Sequence, residues 1–149
     1  MAAERGIGYL ADWLVSKEAR LLADRDKLDL QLREMRSLEQ GARRAYLAIA
    51  LAAFPSGMTI RPSGHGFIKH ELRLETQGKW LCSAVLNQKW VLWYFRKPVL
   101  LAGMVRAGDT LARFSAATLT RYGEIKLRLH DEVAARHVLC WIGAEARDC

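Results

Sequence analysis

Apolar residues recur every three or four positions through the first third of the chain, a spacing that predicts helix. We predict one helix over residues 7–23 and a second over residues 26–53, which ends before Pro55. The second helix carries one apolar stripe: Leu28, Leu32, Met35, Leu38, Ala42, Ala45, Ile49 and Ala52. The first helix can cover this stripe as an antiparallel hairpin with its bend at residues 24–27. A homodimer through the N-terminal helices is the alternative.

The pattern changes to alternation in the middle of the chain. Residues 68–75 alternate apolar with charged side chains, which predicts a strand with one solvated face. The dipeptide 77–78, Gln-Gly, predicts a tight turn. Residues 80–86 and 90–97 are rich in the Trp, Val, Tyr and Phe that sheets favour, and they predict the next two strands.

The remaining segments complete the predicted fold. We interpret residues 58–66, with their Pro and Gly, as a loop with only a short extended piece. Asp109 begins a predicted helix that ends at Gly123, residues 124–130 alternate like a fourth strand, and Asp131 caps a last helix. The predicted fold class is α+β: an N-terminal helical hairpin, then an antiparallel three- to four-stranded sheet with additional C-terminal helices.

Length and composition indicate an ordinary globular protein. The chain has 149 residues, so we expect a single domain with a helical part (1–56) and a mixed sheet and helix part (57–149). No apolar run approaches the ~20 residues of a membrane helix, and the first residues do not resemble a signal peptide. We therefore expect a cytoplasmic protein without membrane association. Cys82 and Cys140 are expected to be small buried hydrophobic residues.

Charge is distributed unevenly along the chain. The net charge is +7, of which residues 1–56 contribute +1 and residues 57–149 contribute +6. The basic character therefore belongs to the predicted sheet part. It predicts an acidic partner, either nucleic acid or the acidic surface of another protein.

The chemistry of known enzyme classes is not recognisable in the sequence. Neither the four histidines nor the three cysteines have the spacing of a zinc site, and no nucleophile, dinucleotide or phosphate-loop motif occurs. We expect no catalytic residues, no metal and no cofactor, and interpret the protein as non-enzymatic.

One group of aromatic and basic residues stands out. If both turns contain two residues, Leu74 pairs with Leu81 and Val85 pairs with Trp90, although a slip of one residue would reverse every later side chain. This register places five of the candidate binding residues on one face, and Lys97 continues that face. The candidates are Lys69, Arg73, Trp80, Trp93, Phe95 and Lys97. Such a face suits single-stranded nucleic acid, because bases stack on rings and phosphates contact Lys and Arg. A helix that packs over the rings is the structural alternative.

The leading functional hypothesis is a small basic protein that binds nucleic acid or a nucleic-acid-handling complex. The alternative is a protein–protein inhibitor or adaptor that uses its basic face against an acidic partner surface. Anti-defence proteins of phages and mobile elements are an example of that class.

Overall fold

The alternating segments form one antiparallel sheet. A computed structural model describes residues 24–55, 57–65 and 68–144, apart from the side chains at positions 65 and 69. In that part of the chain the strands are Met58–His65 (β1), Ile68–Thr76 (β2), Lys79–Leu86 (β3), Val91–Phe95 (β4), Thr118–Leu119 (β5) and Ile125–Leu129 (β6). Their order across the sheet is β1-β2-β3-β4-β6-β5.

Helices precede and follow the strands. They span residues 24–34 (α1), Gln40–Ala50 (α2), Lys97–Leu101 (α3), Ala107–Arg113 (α4) and Glu132–Trp141 (α5). The chain divides into two compact units, Met1–Glu34 and Met35–Cys149. The α1 helix belongs to the first unit, and the sheet with α2 to α5 belongs to the second. The α+β prediction is confirmed, with six strands where three or four were expected.

The two extra strands lie at the edges of the sheet. The predicted loop over 58–66 is wrong, because β1 pairs with β2 from Met58↔Thr76 to Ser63↔Glu71. Pro62 and the polar residues of β1 suggested a loop. Proline is tolerated in an edge strand, however, and an edge strand can consist largely of polar residues. At the opposite edge, the two-residue strand β5 is too short to leave a periodic signal.

The long predicted helix over 26–53 is interrupted. Residues 35–39 are not helical, and Ser37 has a φ of 56°, which ends the first helical segment. The Glu39 amide donates instead to the Gln88 carbonyl, at 2.8 Å. The predicted stripe is nevertheless buried in both segments, at Leu28, Leu32, Ala42, Ala45 and Ile49. The predicted first helix over 7–23, and with it the helical hairpin, lies outside the described residues.

Two helices cover one face of the sheet. α2 buries Tyr46 and Ile49, and α5 buries Val138 and Leu139. The two helices also contact each other closely. Gly41 sits where α2 meets the end of β6, because a Cβ atom there would collide with the His130 carbonyl oxygen.

The C-terminal region is partly as predicted. The fourth strand (β6) and the Asp131 cap are confirmed, since Asp131 Oδ1 accepts a hydrogen bond from the Ala134 amide at 2.8 Å. The helix predicted over 109–123 is wrong, because α4 ends at Arg113 and Leu119 lies in a strand. Tertiary packing overrides the helical pattern here: Phe114 turns its ring between Phe95 and Trp141, at centroid distances of 6.5 and 5.9 Å.

Cys82 and Cys140 differ in burial and in bonding. Cys82 is fully buried, as predicted, and burial raises the pKa of its thiol, so the thiol stays protonated. The expectation for Cys140 is wrong, because this half-buried residue is disulfide-bonded.

Within the described segments, every helix is too short or too polar to cross a bilayer.

Candidate functional site: the cavity face of the sheet

A β-bulge at Leu81 divides the predicted aromatic face. Leu74 pairs with Cys82 rather than with Leu81, and Glu75 pairs with Trp80, so Leu81 is an extra residue on β3. From Cys82 onward every side chain therefore points to the face opposite the predicted one. The loop between β3 and β4 is also longer than predicted, since Val85 pairs with Leu92. That shift is an even number of residues and leaves the faces unchanged.

The bulge separates the candidate binding residues. Trp93 and Phe95 lie on the covered face and are 0% exposed, so the prediction that they share a face with Arg73 and Trp80 is wrong. Arg73 and Trp80 do come together, on the opposite face. Lys97 is exposed at the start of α3, beside that face. The backbone of Lys69 is in β2, while its side chain lies outside what the structure describes.

The face that α2 and α5 leave uncovered contains a cavity of about 860 Å³. Its floor is formed by Ser83, Val85, Leu92 and Tyr94, and residues 118–122 of the β5–β6 hairpin form one wall. We call this surface the cavity face. Its strand residues are Glu71, Arg73, Glu75, Trp80, Ser83, Val85, Leu92, Tyr94, Lys126 and Arg128.

Trp80 is stacked between two arginines at one end of the cavity face. The guanidinium carbons of Arg73 and Arg96 each lie 3.7 Å from the centroid of the Trp80 ring. Arg73 comes from β2 and Arg96 follows β4, so they reach the ring from the two sides of β3. Trp80 Nε1 donates to the Cys82 carbonyl at 3.0 Å, which fixes the ring upright. Both faces of this ring are therefore occupied by cations.

Each of these arginines is also paired with a carboxylate. Arg73 Nε donates to Glu71 Oε1 at 2.7 Å, and Arg96 Nε donates to Glu124 Oε2 at 3.1 Å. The Glu71 side chain is almost fully buried. The two arginines and the two glutamates around Trp80 thus balance each other in charge. This group therefore orders the sheet face and adds little to its net charge.

Four other cations are not balanced in this way. Within the described residues, Lys97, Arg121, Lys126 and Arg128 have no carboxylate partner. Lys126 and Arg128 project from β6, between the buried Ile125, Leu127 and Leu129. Their charge exceeds that of Glu75, the remaining carboxylate of the cavity face, so this surface carries an excess of positive charge.

A second aromatic group lies at the other end of the cavity face. The Arg128 guanidinium carbon is 4.2 Å from the centroid of the Trp90 ring. The rings of Trp90 and His130 are in edge contact, with centroids 5.8 Å apart. These side chains border a smaller cavity of about 530 Å³. Aromatic and basic side chains therefore occur together at both ends of the cavity face.

Tyr94 is the titratable group in the middle of the floor. Partial burial, followed by the negative charge of Glu124, raises the pKa of its hydroxyl. The hydroxyl therefore stays neutral through physiological pH and can both donate and accept hydrogen bonds.

A basic pocket of about 670 Å³ adjoins the cavity. It is lined by Arg96, Lys97, Arg121, Tyr122, Gly123 and Glu124. Four of these residues also line the larger cavity: Arg96, Arg121, Tyr122 and Glu124. The two cavities therefore adjoin, and we call them together the depression, which has a largely apolar floor and a basic end.

Several residues of this site were not predicted from the sequence. Lys126 and Arg128 were visible as the polar half of an alternating strand, but nothing in the sequence showed which strand would lie beside β4. Arg96 links β4 to α3 and Tyr122 lies in a turn, and the positions of such connections depend on the tertiary fold. In the described part of the chain, no three His, Cys, Asp or Glu side chains come together as metal ligands would.

Comparison with known protein families, characterised proteins and solved structures finds no match for this chain.

Proposed function

We propose that the protein binds single-stranded nucleic acid on its cavity face and acts by binding rather than by catalysis. One observation carries the proposal. Four uncompensated cations, Lys97, Arg121, Lys126 and Arg128, line the main cavity or the two smaller cavities that adjoin it, and aromatic rings line the same cavities. An extended chain of phosphates and flat bases is the ligand that matches alternating cations and rings.

The rings do not all have the same role. Trp80 cannot stack with a base, because a guanidinium covers each of its faces. Tyr122 is 64% exposed and can present a ring face to a base. The outer planes of Arg73 and Arg96 can do the same, since guanidinium groups also stack on bases. Trp80 therefore holds these two planes in position.

Duplex nucleic acid fits this surface less well. The cavity is a depression in a sheet, whereas groove reading requires an element that projects into the duplex. Bases must be unpaired to enter a depression of this kind, so a single strand is the expected substrate class.

The proposal is tested by binding of a labelled single-stranded oligonucleotide over a range of salt concentrations. The variant Lys126→Gln/Arg128→Gln removes two phosphate contacts, which should reduce the slope of log affinity against log salt by about 1.4. The matched control is Arg43→Gln/Arg44→Gln, two exposed arginines of α2 that lie outside the cavity face. Both variants lose two positive charges, so a difference between them reports the position of the charge.

The proposal is wrong if both double variants weaken oligonucleotide binding equally. It is also wrong if the unaltered protein fails to bind single strands at low salt. Thermal unfolding of both variants confirms that they fold.

An acidic protein partner is the second candidate, and one observation favours it. Leu119 and Tyr122 are 58% and 64% exposed at the tip of the β5–β6 hairpin, beside basic residues. Exposed large side chains next to cations are common at protein interfaces. Polyglutamate, which carries charge but no bases, distinguishes the candidates. If it displaces the oligonucleotide at equal charge concentration, the rings contribute nothing and the protein partner is favoured.

A further inference from the structure

We infer that the cavity and the basic pocket together form a site for one phosphorylated nucleoside, with the base over the cavity floor and the phosphate between Lys97 and Arg121. This inference rests on the proposed function, because it assigns a ligand to part of the same surface. It adds that a single nucleotide is recognised as a unit, independently of the rest of a strand.

The depression has two chemically different ends. The cavity of about 860 Å³ and the basic pocket of about 670 Å³ are both within the range of small-molecule sites. Arg96, Arg121, Tyr122 and Glu124 line both of them, so the two cavities adjoin at these residues and one ligand of nucleotide size can contact both. A ligand that fills both must be flat and largely apolar at one end and anionic at the other.

The basic end is suited to a phosphate. Glu124 is its one carboxylate, and Arg96 already occupies Glu124 Oε2 at 3.1 Å. Lys97 and Arg121 therefore retain their charge for a ligand. The Arg121 Nη2 bonds to the Tyr122 hydroxyl at 2.7 Å, which holds the guanidinium at the pocket. Charge-assisted hydrogen bonds to phosphate are the expected contacts.

Gly123 keeps this end accessible. Its φ is +79°, a conformation that favours glycine, and a Cβ atom there would lie 3.5 Å from Lys97 Cε. A side chain at this position would occupy space beside the lysine amine. The tight turn at Gly123 thus places Arg121 in the same pocket as Lys97 of α3.

The floor end is suited to a base. Val85 and Leu92 supply apolar contacts, and the half-buried Tyr94 supplies a neutral hydroxyl at the same level. Ser83 adds a second hydroxyl at the floor. A base has apolar faces and polar edges, so this mixture matches it better than it matches an aliphatic chain or a simple anion.

The experiment compares a nucleoside monophosphate with its separate parts. Binding of adenosine 5′-monophosphate, adenosine, ribose 5-phosphate and inorganic phosphate is measured by calorimetry. We expect the monophosphate to bind more tightly than adenosine, by about tenfold or more, because of the added charged contacts. It should also bind more tightly than ribose 5-phosphate and inorganic phosphate, because of the added contacts of the base. The inference is overturned if the monophosphate binds no more tightly than inorganic phosphate.

A variant locates the phosphate. Lys97→Gln/Arg121→Gln should reduce monophosphate affinity to that of adenosine, while adenosine binding itself changes little. Arg43→Gln/Arg44→Gln is the matched control and should bind the monophosphate like the unaltered protein. Equal losses in the two variants contradict the site.

The two proposals fail in different ways. If single strands bind with the expected salt dependence and the monophosphate does not, the nucleotide site is wrong and the proposed function stands. If the monophosphate binds and single strands do not, the proposed function is wrong and the nucleotide site stands.

Discussion

The two faces of the sheet differ in how they use aromatic side chains. On the covered face, Trp93 and Phe95 are fully buried and lie 5.9 Å apart in edge contact. On the cavity face, Trp80 and Trp90 are half-buried, and each is stacked with arginine. The same residue type stabilises the core on one side and organises cations on the other. The neighbouring residues, rather than the ring, decide its role.

The largest contrast is expected between Trp93→Ala and Trp80→Ala. Removing the Trp93 ring leaves a cavity in the core, which should lower the free energy of unfolding by about 3–5 kcal/mol. Removing the Trp80 ring should cost about 1–2 kcal/mol, for two partly exposed cation–π contacts. Chemical denaturation of both variants provides the comparison, and equal losses would show that the faces do not differ.

A conservative variant sharpens the Trp93 result. In the described structure the buried Trp93 Nε1 has no hydrogen-bond acceptor. Phenylalanine fills most of the space and lacks the N–H group, so Trp93→Phe should cost much less than Trp93→Ala. If Trp93→Phe costs as much as Trp93→Ala, the indole N–H makes a stabilising hydrogen bond that phenylalanine cannot replace.

Gly41 tests how closely the covered face is packed. Gly41→Ala forces a methyl group against the His130 backbone and should cost about 1–3 kcal/mol of unfolding free energy. Gly108→Ala in α4 is the control, because its methyl group meets no atom within 4 Å. That variant should gain about 0.5–1 kcal/mol from helix propensity. Opposite signs in thermal unfolding are the expected result.

The tyrosines should report the two faces at alkaline pH. Burial raises the pKa of Tyr46, in α2, far above its ordinary value of 10.0. The folded protein keeps this proton after the unfolded chain loses it, so the contribution of Tyr46 to stability is intact below pH 10 and falls above it. The buried Cys82 thiol adds a separate loss that begins about one pH unit lower. Each loss should be about 1.4 kcal/mol per pH unit. Tyr46→Phe should remove the part of the alkaline loss that Tyr46 causes, which denaturation at several pH values measures. Tyr94→Phe should remove a smaller part, because the pKa of Tyr94 is raised less.

The smallest expected effect is on the pKa of Tyr94. Glu124→Gln removes a negative charge that disfavours the phenolate, so the pKa of Tyr94 should move down toward its ordinary value. Ultraviolet titration of the folded protein detects this change. Glu132→Gln, at the exposed start of α5 on the far side, should leave the titration unchanged. An unchanged curve for Glu124→Gln would show that burial alone raises the Tyr94 pKa.

Prediction from sequence succeeded where a local pattern has one structural solution. The strands β2 and β6, the Gln77-Gly78 turn and the Asp131 cap are local features, and all four are confirmed. The exposure predicted for β2 is partly wrong, because Glu71, on the face expected to be solvated, is 1% exposed and Ile68 is 44% exposed. The interrupted helix after residue 34 and the strand β1 are not local in this sense. Their boundaries depend on contacts with distant residues, such as the Glu39 amide with the Gln88 carbonyl.

The candidate site shows the same division. Arg73 and Trp80 were identified correctly as neighbours, because only the Gln77-Gly78 turn separates their strands. Arg96 reaches Trp80 across a different strand, and Glu124 reaches Arg96 from 28 residues away. Pairings over such distances leave no periodic signal in a single sequence.

The sequence by itself determined the class of the fold, the central strands and the positive charge of the sheet part. These follow from composition and from side-chain periods of two and of about four. Tertiary structure alone decided which face the residues of β3 and β4 occupy from Cys82 onward. Side chains alternate along a strand, so the single extra residue at Leu81 moved Trp93 and Phe95 into the core and placed Leu92 and Tyr94 on the cavity face.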